Sequence, residues 1–186
     1  MTDYQTLAGK AVDELRGAVV GVDPEALAGA VSEISRARRI AAYGVGREGL
    51  MMRALAMRLY HLGLDTHVVG DMSTPPLGEG DLLLLSAGPG GFSTVMGLAG
   101  VARDAGARVL GFTAQPAGEL ARFADRVLVI PAQTMADDQV AGASVLPMGS
   151  LYEGAQFLVF ELLVCELRDA IGETPETMRA RHTNLE

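Results

Sequence analysis

The chain has 186 residues, a formal net charge of −8 at pH 7 and 49% hydrophobic residues, which predicts one globular domain and excludes a disordered chain. The negative charge argues against nucleic acid and anionic membranes as main partners. With the single cysteine Cys165, no secretory signal and no apolar run of membrane-spanning length, a cytoplasmic protein without an intrachain disulfide is the simplest interpretation.

The first half of the chain alternates helix and strand signals. Apolar residues at helical spacing predict a first helix, and Asp23 followed by Pro24 predicts the start of a second helix that runs to about Arg38. A strand, a glycine turn, a helix and another strand are then predicted over residues 39–43, 44–49, 50–63 and 65–69.

The stretch "LLLLSAGPGGF", residues 82–92, combines a predicted strand with a glycine-rich turn. Four consecutive leucines are typical of a strand that is buried on both faces. A helix over 93–106 and strands over 107–112 and 126–130 follow. Short apolar strands separated by helices predict an α/β fold with a five-stranded parallel sheet and helices on both faces.

Two later segments stand out from this alternation. Residues 132–147 have neither helical nor strand periodicity, and loops of that length in compact domains are usually functional or disordered. Residues 148–172 form a predicted helix that is apolar nearly all round. Four of its apolar residues exceed what one domain face needs, which predicts a helix shared with another subunit, and Cys165 is expected only to pack within it. These residues are Phe157, Phe160, Leu163 and Val164.

The turn "GVGREG", residues 44–49, matches the glycine pattern of dinucleotide-binding proteins, in which a pyrophosphate approaches a helix N-terminus. That pattern needs an acidic residue at the end of the next strand. Asp65 lies at the start of the predicted strand and not at its end, and Asp71 lies late, so nicotinamide binding is a weak alternative.

A different resemblance covers nearly the whole chain. The blocks "GVGREGLMMRALAMRLYHLG", "VVGDMSTPPLGEGDLLLL", "LPMGSLYE" and "ETMRARHTNLE" resemble the 6-phospho-3-hexuloisomerase family of SIS-domain sugar isomerases. The resemblance implies a single flavodoxin-like SIS domain over 1–186 and a homotetramer with sites shared between subunits. It also implies interconversion of 3-hexulose 6-phosphate and fructose 6-phosphate through an enediol, with a sugar or sugar phosphate as ligand and neither cofactor nor metal.

Three residues match the positions that this chemistry would use. Glu153, after "LPMG", is the candidate base; its alternative role is to stabilise a helix N-terminus. His182 near the C-terminus and His61 near a helix end are candidate proton carriers, although His61 could equally pair with the helix dipole. His67 has no motif and is predicted to be structural.

The glycine turns depart from the family pattern. The family turns read G-x-G-R-S-G and S-G-S-G-x-T, whereas this chain has Glu48 in the first and replaces three hydroxyl residues in the second. Pro89 also lacks an N–H. Glu48 is expected to repel a phosphate or to satisfy the helix N-terminus itself. Arg47 could pair with Glu48 or still reach a ligand. Ser93 and Thr94 could also reach it, although Ser93 is expected to be an N-cap. The predicted substrate-binding residues are Gly46, Arg47, Glu48, Ala87, Gly88, Pro89, Gly90, Phe92 and Ser93.

Catalytic positions are therefore retained and phosphate positions are not. The sequence favours an isomerase of this family with a changed substrate. A non-catalytic SIS protein that binds a sugar-like ligand or a partner remains the alternative.

Overall fold

The computed structural model describes residues 3–140 and 142–185. Over these residues the elements follow in the order α1 (Tyr4–Val20), α2 (Pro24–Ser35), β1 (Ile40–Gly44), α3 (Gly46–His61), β2 (Thr66–Val68), β3 (Leu82–Ser86), α4 (Ser93–Asp104), β4 (Arg108–Thr113), α5 (Glu119–Phe123), β5 (Arg126–Val129), α6 (Ser150–Ile171) and α7 (Pro175–Ala180).

The five strands form one parallel sheet in the order β2-β1-β3-β4-β5. β1 and β3 are neighbours with Ile40 opposite Leu82 and Gly44 opposite Ser86. The chain therefore reverses its direction of travel across the sheet at these two strands, and ligands of open α/β sheets bind at such a point, beyond the carboxyl ends of the strands. The predicted α/β fold with five parallel strands is confirmed.

Both faces of the sheet are covered, as the run of leucines in β3 predicts. Leu82 and Leu84 point to one face and pack with α2, α3 and α6, whereas Leu83 and Leu85 point to the other and pack with α4 and α5. All four leucines are buried. A central parallel strand has no solvent-exposed face, which is why apolar residues do not alternate with polar ones here.

The helix after the first glycine turn begins earlier than predicted, at Gly46 and not at Leu50. Gly49 lies inside its first turns, and a Cβ atom there would clash with the carbonyl oxygen of Gly44. The glycine therefore allows α3 to pack closely against the end of β1. The "GVGREG" pattern marks the strand–helix junction and most of the first helical turn.

The long helix α6 differs from its prediction in which face is exposed. Phe160, Leu163 and Val164 are buried in the core of the same chain, because α1, α2 and α3 pack around the helix. By contrast, Phe157 is 43% exposed, Leu158 is 42% exposed and Leu162 is 50% exposed. The prediction that all four apolar residues exceed one domain's needs is wrong for three of them. No helix among the described residues is long and apolar enough to cross a membrane.

A groove between α1 and α6 contains two of these exposed residues, Leu158 and Leu162. It has a volume of about 430 Å³ and is lined by Val12, Leu15, Arg16, Val19, Val20, Leu158, Glu161, Leu162 and Cys165. Cys165 is exposed rather than packed in the core, because the α1 helix leaves that side of α6 uncovered. We call this surface the α1–α6 groove.

Candidate active site

Three helices begin around one cavity at the carboxyl end of the sheet. The cavity has a volume of about 180 Å³ and is lined by Val45, Gly46, Arg47, Glu48, Pro89, Phe92, Thr134, Met135, Gly149, Tyr152 and Glu153. The starts of α3, α4 and α6 supply most of this lining. Five predicted binding residues and the predicted base therefore lie together.

The N-termini of these three helices lack side-chain caps. Within the described chain, the short helix α5 away from the cavity also starts without one, whereas Asp3, Asp23 and Thr174 cap α1, α2 and α7. Uncapped N-terminal amides carry a partial positive charge and favour negative charge nearby. The cavity therefore favours negative charge, including the charge that develops on an oxygen of a bound carbonyl compound.

Glu153 lies in the first turns of α6 and forms an ion pair with Arg47. Its Oε2 atom lies 2.8 Å from Arg47 Nε, but the two groups lack hydrogen-bond geometry, and Oε2 is buried without a hydrogen-bond partner. Arg47 also donates a hydrogen bond from a terminal guanidinium nitrogen to Ser150 Oγ at 3.0 Å. The Arg47 side chain is 61% exposed and that of Glu153 is 15% exposed. Glu153 is thus sheltered from solvent and lines the cavity.

Glu48 turns away from its own helix and reaches the second glycine turn. Its carboxylate accepts a hydrogen bond from Ser86 Oγ at 2.5 Å and from the Gly88 amide at 2.9 and 3.1 Å. Burial raises the pKa of Glu48 above its ordinary value, these hydrogen bonds oppose the rise, and the charge of Glu153 adds to it. The expectation that Glu48 satisfies its own helix N-terminus is therefore wrong, since the carboxylate binds a different turn.

Behind Glu48 lies a buried polar cluster that the sequence does not reveal. Ser86 Oγ accepts a hydrogen bond from Gln156 Nε2 at 2.8 Å and lies 3.5 Å from the hydroxyl of Tyr152. Burial, followed by the charge of Glu48, raises the pKa of Tyr152 well above its ordinary value, so the phenol stays protonated at neutral pH. The backbone also approaches closely here, because a Cβ atom on Gly88 would lie 2.8 Å from the Tyr152 ring.

The rest of the second turn is divided between the cavity wall and the interior. Pro89 and Phe92 line the cavity, whereas Ala87, Gly88 and Gly90 are buried behind it. Phe92 and not Ser93 is the N-cap of α4, and Ser93 is exposed as the first residue of that helix. The predicted N-cap role of Ser93 is wrong because the extended backbone conformation falls on the preceding phenylalanine.

The irregular segment 132–147 forms one wall of the cavity; Ala141 within it lies outside the described residues. Gln133 joins this segment to the start of α6: its backbone carbonyl accepts a hydrogen bond from the Tyr152 amide, and its side-chain amide donates one to the Met148 carbonyl. Glu14 of α1 accepts hydrogen bonds from Ser144 Oγ and the Val145 amide. The segment is thus tied to both α1 and α6 and holds the helix that carries Glu153.

The two candidate histidines lie together, but far from Glu153. Their rings stack with centroids 5.4 Å apart, His61 buried and His182 exposed. His61 ends α3, whereas Arg47 begins it, and at 1.5 Å per residue these positions are about 21 Å apart. One subunit therefore does not bring Glu153 and the histidines into the same cavity.

Other charged residues that the sequence singles out have partners elsewhere. Asp65 pairs with Arg39 and His67, and Asp71 pairs with Arg53. None of these five residues lines the cavity. The acidic residue that a dinucleotide site requires is thus not supplied by Asp65 or Asp71, and His67 has the structural contact expected of it.

Comparison with known proteins gives a consistent pattern. Residues 33–154 match the SIS domain family. The chain is 41% identical to the 3-hexulose-6-phosphate isomerase of Mycobacterium gastri, over 94% of this chain and 87% of that one. It is 33% identical to the same enzyme of Methylomonas aminofaciens over the full length of both chains. A crystal structure of a Methanococcus jannaschii protein, for which a 3-hexulose-6-phosphate isomerase function is inferred, superposes with a TM-score of 0.81 at 26% identity, over 98% of each chain.

Proposed function

The chain belongs to the SIS domain family and, within it, to the 3-hexulose-6-phosphate isomerases, and from this premise we propose that it interconverts a 3-hexulose and the corresponding 2-ketose through an enediol. The observation that carries the proposal is the position of Glu153, a sheltered carboxylate on the wall of a cavity where three uncapped helix N-termini meet. Proton transfer takes place at Glu153, whereas the end of the sugar remote from the reacting carbons occupies another part of the cavity. The proposal rests only on the position of Glu153.

The reaction needs one carbon-bound proton to move between adjacent carbons. Glu153 takes the proton from C2 of the 3-hexulose, and the electrons of that C–H bond form the C2–C3 double bond of the enediol while the C3 carbonyl oxygen becomes negative. The carbon-bound proton then returns to C3, O3 takes up a proton and O2 gives one up, so that C2 becomes the carbonyl carbon and no net proton is gained or lost. Arg47 and the helix N-termini favour the negative oxygen during this sequence.

The oxygen protons need a second group, and a neighbouring subunit supplies it in this proposal. Histidine transfers protons near neutral pH, and His61 and His182 form a pair at the end of α3 remote from Glu153. Assembly of subunits through exposed apolar surface such as the α1–α6 groove would give a homotetramer in which one subunit's histidines complete another's cavity.

Deuterium exchange tests the proposal both for a sugar that carries a phosphate and for one that does not. Purified protein is incubated in D₂O with fructose and, separately, with fructose 6-phosphate, and deuterium at C3 is followed by NMR. A 2,3-enediol mechanism exchanges that hydrogen on at least one of the two sugars. Exchange on neither, together with saturable sugar binding, would instead favour a sugar-binding protein without catalysis.

A further inference from the structure

The second glycine turn, residues 86–90, has already used its hydrogen-bond donors. The Ala87 amide donates to the Phe112 carbonyl, the Gly88 amide to Glu48, and the Gly90 amide to the Ala87 carbonyl. Pro89 has no amide hydrogen. The Ser86 hydroxyl donates to Glu48. An incoming phosphate would therefore have to break a bond within the protein for each donor that it took from this turn.

Glu48 occupies the place of an external anion at this turn. The Ser86 hydroxyl accepts a hydrogen bond from Gln156, and this contact directs the Ser86 hydroxyl hydrogen to Glu48 Oε2. The Gly88 amide also donates to the Glu48 carboxylate. Glu48 thus acts as an acceptor in both contacts, the role that a phosphate oxygen would otherwise fill. Both donors are engaged whatever the charge of Glu48, because a protonated carboxyl group still has acceptor oxygens.

Carboxylates and carbon atoms around the turn oppose the attraction of an anion to the uncapped start of α4. The Glu119 carboxylate lies beside the next residue, since a Cβ atom on Gly91 would lie 3.0 Å from Glu119 Oε2. Toward the cavity the turn presents the carbon atoms of Pro89 and Phe92, with Val45 and Met135 nearby. Two carboxylates therefore flank an apolar wall, which fits a neutral group better than a phosphate.

We propose that the substrate of this site is an unphosphorylated ketose, whose end opposite the reacting carbons is uncharged and rests against Pro89 and Phe92. This proposal rests on the isomerase function proposed above and specifies its substrate class. Glu153 and Arg47 keep their roles at the reacting carbons, while the Glu48–Gly88 contact closes the subsite where a phosphorylated sugar would place its charge.

The test compares two sugars that differ only in the phosphate. Rates of C3 deuterium exchange give kcat/KM for fructose and for fructose 6-phosphate with the wild-type protein. We expect fructose to be favoured at least about tenfold, because a charged group that leaves water without gaining hydrogen-bond partners costs at least that factor. A kcat/KM for fructose 6-phosphate that equals or exceeds the value for fructose overturns the proposal.

Two variants locate the effect in the turn. The combined variant Glu48→Ser, Ala87→Ser, Pro89→Ser and Phe92→Thr restores hydroxyl donors and is expected to shift the preference at least about tenfold toward fructose 6-phosphate. Glu166→Ser is the control: it introduces a serine at an exposed position of α6 outside the cavity, so the preference should not change. A folded combined variant with wild-type preference would overturn the proposal.

Binding separates this proposal from the isomerase function. If neither sugar exchanges deuterium, isomerase function fails, and thermal-shift titrations with fructose, fructose 6-phosphate and inorganic phosphate still test the subsite. Stabilisation by fructose alone supports a subsite closed to phosphate. The opposite result is that fructose 6-phosphate or inorganic phosphate stabilises the wild-type protein as much as the combined variant. It would show that the subsite is open to phosphate, and it overturns the proposal.

Discussion

The imidazole rings of His61 and His182 stack with centroids 5.4 Å apart, at the end of α3 that is remote from Glu153. Arg181 holds this arrangement, since its guanidinium donates to the His61 carbonyl and forms two hydrogen bonds to the carboxylate of Glu173. The C-terminal segment thereby carries one histidine to the other. A subunit of this fold presents the paired histidines at one end of α3 and the cavity that contains Glu153 at the other.

Mixing of inactive variants tests whether these two ends meet between subunits. Glu153→Gln and His182→Asn proteins should each be inactive, and refolding them together in equal amounts should restore activity. For a dimeric unit with random exchange, about a quarter of the sites regain both wild-type residues. Activity is measured before and after mixing, and His61→Asn is treated in parallel. No recovery with either histidine variant would contradict a shared site.

Loss of the Glu153 carboxylate should abolish proton transfer without loss of the fold. We expect Glu153→Gln to lower kcat at least about 100-fold, because the amide has the same shape but cannot accept the carbon-bound proton. Glu166→Gln is the matched control, since Glu166 is exposed on the same helix. Circular dichroism checks the fold. Equal rates in the wild-type and Glu153→Gln proteins would exclude Glu153 as the base.

Removal of the Glu48 carboxylate should destabilise the protein. Glu48→Ala leaves the Gly88 amide and the Ser86 hydroxyl without their acceptor, and a buried unpaired polar group costs about 1–3 kcal/mol. Urea unfolding measures the free-energy difference. Glu166→Ala, at an exposed helix position, should change stability by less than about 0.5 kcal/mol. Equal stability of the two variants would show that the Glu48 contacts contribute nothing measurable.

The α1–α6 groove should be covered in the assembled protein. Leu162 is 50% exposed within it, and a lysine there would place a charge in an apolar contact. We expect Leu162→Lys to reduce the particle mass measured by light scattering. Val101→Lys is the control, since Val101 is 66% exposed on α4 and its substitution should leave the mass unchanged. A wild-type monomer would refute the assembly altogether.

The pair of Glu173 and Arg181 should have a clear pH signature. The hydrogen bonds from Arg181, and then the one from Thr177, lower the pKa of Glu173 from 4.5 to about 2. Because the folded-state pKa lies below the unfolded value, the stability that this pair contributes is present above pH 4.5 and is lost as the pH falls from 4.5 toward 2.

Carboxyl NMR titration measures this pKa directly. Arg181→Gln should return the pKa of Glu173 toward its ordinary value, and Arg179→Gln, in the last turn of α7, should not. If the Glu173 pKa stays near 2 in the Arg181→Gln protein, the guanidinium is not its cause.

The strands, their burial and the starts of some helices could be predicted from the sequence because they depend on the pattern of neighbouring residues. Four leucines in succession predict β3, and Asp23 followed by Pro24 predicts the start of α2, with the Asp23 side chain accepting from the Glu25 amide. Helices α5 and α7 escape prediction, since five or six residues give too little periodicity.

The candidate site is less predictable because its decisive contact joins residues distant in sequence. Glu48 meets Ser86 and Gly88 across 38 and 40 positions. Its charge is visible in the sequence, but the direction of the side chain depends on the packing of α3 against β1 and β3. The burial of Phe160 and Leu163 is missed for a similar reason, since it depends on α1 and α2 folding back over α6.

The link between Glu48 and the Gly88 amide has an evolutionary consequence. If Glu48 is changed to serine first, the buried Gly88 amide and the Ser86 hydroxyl lose their acceptor. If the serines of the turn are introduced first, they lie beside a carboxylate that already binds these donors. Neither single step yields a working phosphate seat. The four substitutions are therefore expected to be non-additive, so that a change of ligand class at this turn requires all of them together.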